Sequence, residues 1–310
     1  MNTEVGMRIK TIQKSSTKQA GFSLIELMIA MTLGLLLMTG VVQIFLSSKQ
    51  AYTTISGSSE TLDNGRLALH FISSSVGKAG YWGDVYEMRK YGSDQGLTAS
   101  QSAGVNAPYN DSYSGRFEED AFIFGLDNES VDADVVDGTD QFYVRFNGDA
   151  ANPMTTCAGD AVNDTSVAVE RFYISVTNGS ESIPSLVCEA IVLNIDKKDG
   201  DISIPPNPEI KTQPLISGVE NMQLLYGERS IDKLTVRYHT AADVTRWEFV
   251  ESIRVALLVA SPDEVNTAYR TTGYELLDET TAVPTDKRAR KVYERTVALR
   301  NVNIKVTDSE

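Results

Sequence analysis

The chain has 310 residues, a formal net charge of −14 at pH 7 and two cysteines. So acidic a balance excludes general nucleic-acid binding, which depends on neutralising phosphates, and suits an exported domain with a soluble surface. With two histidines and no P-loop, G-x-G-x-x-G or G-x-S-x-G, the sequence offers no recognised catalytic constellation.

The first segment, Met1 to Gly21, carries Arg8, Lys10, Lys14 and Lys18 against a single acid, Glu4. Leu24 to Leu46 then runs for 23 residues with one ionisable group, Glu26. As a helix this run is about 35 Å long, enough to span a bilayer. Basic charge ahead of it holds that end in the cytoplasm and sends the remainder to the periplasm. An acid costs about 2.5–3.5 kcal/mol at the centre of such a helix and less near an end. Glu26 falls in the first turn, where the helix dipole favours negative charge.

Beyond Leu46 the helical pattern continues. Ile55, Leu62, Leu69 and Val76 recur every seven residues, with Tyr52, Ala68, Ile72 and Ala79 expected on the same side. Gly57, Gly65 and Gly77 each weaken the helix by up to about 1 kcal/mol relative to alanine. Residues 77–114 read as a long irregular excursion, in which Tyr81, Trp82, Tyr86, Tyr109 and Tyr113 pin a loop or meet a partner. Eight strand-like segments follow at 121–126, 140–146, 167–176, 186–195, 219–226, 234–238, 253–260 and 292–299. Asn178-Gly179 and Asp199-Gly200 mark turns, and Pro205, Pro206, Pro208 and Pro214 form an extended connector that divides two sheets. Residues 240–251 are the one further helical candidate.

The expected fold class is α+β. A long N-terminal α-helical spine, membrane half plus amphipathic half, packs on an antiparallel β-rich head of two sheets. The expected divisions are a leader at 1–21, a membrane or core helix at 22–46, the amphipathic half of the spine at 47–80, and the head at 81–310.

Gly21-Phe22-Ser23-Leu24-Ile25-Glu26-Leu27 resembles the processing signal of type IV pilin-like prepilins. A secretory signal would place its cut after the apolar run, whereas this one lies before it and would leave the helix on the mature protein. The resemblance implies cleavage after Gly21, N-methylation of Phe22 by the same prepilin peptidase, and pairing of Glu26 with the N-terminal amine of a neighbouring subunit. The distal half resembles the PilW family of minor pilins: Leu215 to Gly227 (LISGVENMQLLYG), Glu251 to Ala260 (ESIRVALLVA), Thr296 to Asn301 (TVALRN), and Gly138-Thr139-Asp140 ahead of a strand.

That family implies a priming and tip complex with other minor pilins, the major pilin and a PilY-type tip adhesin. The protein would reside first in the inner membrane and then in the pilus, with no cofactor. The alternative is the J-type minor pseudopilin of type II secretion. Cys157 and Cys188, facing an oxidising compartment, read as a disulfide rather than two buried thiols. Acids at Asp127, Glu129, Asp132, Asp134, Asp137 and Asp140 could ligate calcium, but the spacing is not that of an EF-hand, and a solvated acidic loop is the better reading. Lys287, Arg288, Arg290 and Lys291 read as a solvated basic loop before the last strand. Ser75-x-x-Lys78 has a nucleophile–base spacing that chance supplies.

Overall fold

The computed structural model describes residues 21–81, 121–128, 135–151, 153–176, 183–195, 202–203, 209–230, 235–265 and 270–301. The chain divides into two compact units, Met1–Ala51 and Tyr52–Glu310. Helix α1, Leu24–Lys78, contributes to both.

In the first unit α1 begins where Ser23 O accepts the Glu26 and Leu27 amides at 3.0 and 3.1 Å. Every described residue of this unit is exposed, and the helix is long and apolar enough to cross a membrane. Over residues 24–51 both threonine hydroxyls turn back on their own helix: Thr32 donates to Ile29 O at 2.9 Å and Thr39 to Leu35 O at 2.6 Å. Neither hydroxyl therefore needs water, as an apolar surrounding requires.

Among the described residues the second unit holds the rest of α1 and four sheets. Strands β1 (Ile123–Leu126), β2 (Gln141–Asn147), β5 (Ser166–Val176) and β6 (Pro184–Ile195) lie in that order, all antiparallel. At the far side of β6 pair both β7 (Ile202–Ser203) and β8 (Lys211–Ser217). The second sheet runs β10 (Val236–His239), β9 (Val219–Arg229), β11 (Val250–Glu264), β14 (Arg288–Ala298). Two short hairpins, β3 (Met154–Thr155) with β4 (Ala161–Val162) and β12 (Glu275–Leu276) with β13 (Glu279–Thr280), complete it.

One apolar core joins the helix to both sheets. It takes Ile72 and Val76 from α1, Phe142 and Val144 from β2, and Leu224 and Tyr226 from β9. Phe142 stacks on its cross-strand partner Phe172, with ring centroids 5.0 Å apart. Full burial of one such aliphatic side chain stabilises by about 1.5–3 kcal/mol.

The eight anticipated strand segments are all present, but three expectations need correction. The buried stripe of α1 is Gly57, Thr61, Gly65, Ala68, Leu69, Ile72, Ser75 and Val76, whereas Tyr52 and Ile55 are 72 % and 69 % exposed and Leu62 is half-buried. Small residues win the upper positions because the second sheet approaches too closely for large ones. A Cβ on Gly57 would lie 2.5 Å from Val265 Cγ1, and one on Gly65 the same distance from the Tyr293 ring.

Residues 240–251 are not an α-helix. They form a turn, a 3-10 turn at Trp247–Phe249, and the start of β11. Trp247 is buried between Phe124 and Tyr226, at 5.0 and 4.8 Å, and Val250 pairs with Glu228. Tertiary packing and strand pairing override the local helical preference.

The proline-rich connector is not the division between sheets. Pro214 lies within β8, an edge strand of the first sheet, where a missing N–H is tolerated. The division falls at Gly218, with φ +86°. Its N–H donates to Pro184 O in the first sheet, and its carbonyl accepts the Ala260 N–H in the second, each at 2.8 Å. Most of the anticipated excursion (residues 82–114) and the turns at Asn178-Gly179 and Asp199-Gly200 lie outside the described residues, as do Pro205, Pro206 and Pro208.

Candidate functional site

Gly21 and Phe22 lie outside the helix and precede its first turn. Phe22 is 82 % exposed, and nothing lies within 4 Å of a Cβ built on Gly21. The Gly21–Phe22 bond is thus open, with an apolar residue on its far side. Glu26 sits one turn on, exposed, as the only acid in the first turn of α1. This unit thus presents three features together: an accessible Gly–Phe bond, one carboxylate, and an apolar helical surface.

Cys157 and Cys188 form a disulfide, with Cα atoms 6.3 Å apart and a sequence separation of 31. Beside it lies a polar centre that sequence reasoning missed. Glu170, fully buried on β5, accepts the Lys78 ammonium at 2.7 Å, the Cys157 N–H at 2.7 Å, and the Ser75 hydroxyl. Lys78 also donates to Thr155 O at 3.0 Å and lies over the Phe146 ring. Ser75 is hydrogen-bonded to Glu170 rather than to Lys78, so the Ser-x-x-Lys spacing serves to fasten the end of α1. A buried carboxylate so coordinated is stable because each of its partners needs an acceptor. Nothing local in the sequence links Glu170 to a helix more than ninety residues earlier.

The distal segments prove to be joints of the fold. In the run Leu215 to Gly227, Val219, Met222, Leu224 and Tyr226 enter the core. The Gln223 and Asn221 side-chain amides donate to Gly138 O at 2.9 and 3.0 Å. Glu220 accepts Arg290 of β14 through both oxygens, at 2.5 and 2.8 Å. Asn301, closing the chain's last matching segment, donates from its side chain to Gly77 O and Ala79 O at 3.0 and 3.2 Å. The end of the second sheet is thereby tied to the end of α1.

The basic cluster requires correction. Arg288, Arg290 and Lys291 belong to β14 itself, not to a loop before it. Arg290 is nearly buried and forks between Glu220 and Asp286. Hydrogen bonds from Arg290 hold the Asp286 carboxyl down, to about 2. Lys291 lies over the Tyr293 ring at 5.4 Å.

The acidic run is not a solvated loop throughout. Asp140 is only 4 % exposed; Glu129, Asp132 and Asp134 lie outside the described residues. Among the described residues no three His, Cys, Asp or Glu side chains are grouped to hold a metal ion. Tyr81 donates to Asp149 at 2.8 Å, pinning the chain as it leaves α1; Trp82, Tyr86, Tyr109 and Tyr113 are outside the described residues. His70 is exposed on α1 and His239 half-buried at the end of β10.

Two family models match the chain. The Type IV Pilus-assembly protein W model matches residues 171–301, and the prokaryotic N-terminal methylation motif matches residues 16–42. Among solved structures, a type IV-like pilin from Thermus thermophilus is similar at 14 % identity, covering 78 % of this chain and 98 % of its own, with a TM-score of 0.40. No curated protein matches the chain. The methylation motif covers the exposed Gly21–Phe22 bond and Glu26, and the PilW match covers the strands that build the intersheet joint; at its N-terminus and in its distal half the chain is similar to type IV pilins of the PilW type.

Proposed function

We propose that this protein is a minor pilin that primes assembly of the type IV pilus. Prepilin peptidase cuts after Gly21 and methylates the new amine of Phe22. The protein then waits in the inner membrane with its β-rich head in the periplasm. There it forms a complex with other minor pilins and a PilY-type tip adhesin, onto which the major pilin is added. The complex travels to the pilus tip as the filament grows.

The observation that carries this reading is the apolar run of α1, fully exposed in the single chain and interrupted only by Glu26. Such a surface is stable only in lipid or against other helices. Extraction from the membrane into a filament exchanges the first surrounding for the second. Glu26 then fixes register, because a carboxylate among apolar helices needs a cationic partner, and the Phe22 amine of a neighbour supplies one.

The test is the amount of sheared surface pili from a strain lacking this gene, in a retraction-deficient background. A marked loss restored by complementation is expected. Unchanged pili together with impaired protein secretion would transfer the protein to the type II secretion pseudopilus.

A further inference from the structure

Strand β14 closes one side of the second sheet, and among the described residues it pairs with β11 alone. It is 11 residues long, contains no proline, and is exposed or half-buried throughout. Alternate N–H and C=O groups along its far side therefore stand open. Other margins of the two sheets are guarded. Strands β1 and β10 have four residues each and β7 has two, while β8 carries Pro214; short edges and prolines deter pairing. The only guard on β14 is charge.

That charge has one sign wherever it is not already paired. Arg290 is held by Glu220 and Asp286, Arg288 by Asp286, and Glu294 by Arg254 of β11. Among the described residues Lys291 and Arg295 have no ion pair, nor has Arg300 just past the strand, nor Arg66 of α1; all four are exposed. Lys291 and Arg295 share one face of β14, four residues and thus about 13 Å apart, on either side of Tyr293. The Tyr293 ring packs against Gly65, and from the same turns of α1 Arg66 and Asp63 bear on its phenol. Cations thus gather at this edge in a chain whose net charge is −14.

We infer that the open edge of β14 is a docking edge for an acidic, extended segment of another protein, which adds to the second sheet as a fifth strand.

Two copies of this chain joined edge to edge would set cations against cations, which is unfavourable. An acidic strand reverses that repulsion while using the same backbone groups. The ladder supplies affinity, and the charges choose the partner. Because strand side chains alternate with period two, the residues facing Lys291 and Arg295 are themselves four positions apart on one face of the incoming strand. The selected segment therefore carries carboxylates at that spacing. Arg66 adds positive charge beside Tyr293, and Arg300 adds it at the end of the edge. This partner class does not depend on the priming role proposed above.

Photo-crosslinking in the cells that make the full-length protein tests the edge, with p-benzoylphenylalanine in place of Thr296 or, separately, of Ala298, both exposed. Crosslinks should map to one segment of another protein with acids four positions apart. The two crosslinked positions should differ by two residues, as a ladder requires. Lys291→Glu with Arg295→Glu should lower the yield about tenfold, and exchanging the two facing acids for lysine should restore it in that variant. Should the double variant fail to fold, Arg66→Glu, which leaves the strand unaltered, should lower the yield severalfold instead. Crosslinks to lipid, to a second copy of this chain or to a segment without such acids overturn the inference. So do the absence of any crosslink and a yield that these charge reversals leave unchanged. The crosslinks are read whether or not loss of the gene removes pili, so failure of this inference and failure of the priming role are distinguishable.

Discussion

The Lys78 ammonium, in the last turn of α1, donates to Glu170 Oε1 at 2.7 Å in the middle of the first sheet. The same oxygen accepts the amide of Cys157, whose sulfur is bonded to Cys188 on β6. A single carboxylate therefore fastens helix, sheet and disulfide loop at one point.

Glu170→Ala leaves Lys78, Ser75 and the Cys157 N–H without this acceptor. It should destabilise the folded head by about 3–5 kcal/mol, whereas Glu170→Gln, which keeps one oxygen, should cost about 1–3. Urea unfolding followed by Trp247 and Trp82 fluorescence checks both. Equal, small losses would show that the centre is incidental to stability.

Gly218 and Gly77 should respond oppositely to alanine. At Gly218 the positive φ and a Cβ only 2.6 Å from Ala260 O should make the substitution destabilising by at least about 1–3 kcal/mol. At Gly77, helical and with nothing within 4 Å of a Cβ, it should stabilise by up to about 1 kcal/mol. Midpoints of thermal unfolding compared with the wild type decide the signs.

Cys157→Ser opens a loop of 31 positions, worth about 3–4 kcal/mol on the chain-entropy account. The wild type under reductant should lose a similar amount, and the variant should then be insensitive to reductant. A free-thiol assay on the oxidised, unfolded protein should find neither cysteine; detecting both would refute the bridge.

Glu26→Ala should leave cleavage after Gly21 and membrane insertion intact, because neither needs the carboxylate, while incorporation into sheared filaments falls severalfold. Mass spectrometry of the processed N-terminus and immunoblots of membrane and pilus fractions separate the two steps. Normal incorporation would remove the register role.

The parts of this protein written in its sequence are those whose physics is local. The Gly21–Phe22 bond, the apolar run to Leu46 and its lone Glu26 need only a neighbouring membrane to be understood. Strands such as β5 and β11 announce themselves by side-chain type, since β-branched and aromatic residues suit a pleated, buried backbone. What tertiary structure decided is which partners these elements chose. Gly57 and Gly65 lie inward and Ile55 outward because the second sheet approaches α1 too closely for a larger side chain. Residues 240–251 gave up a helix because Trp247 found Phe124 and Tyr226. Gly218 divides the sheets because its N–H and carbonyl bond to strands that lie 34 and 42 residues away. Glu170 and Asp140 gain their meaning only from groups brought in by the folded chain, since the burial that sets their energies exists in no isolated segment.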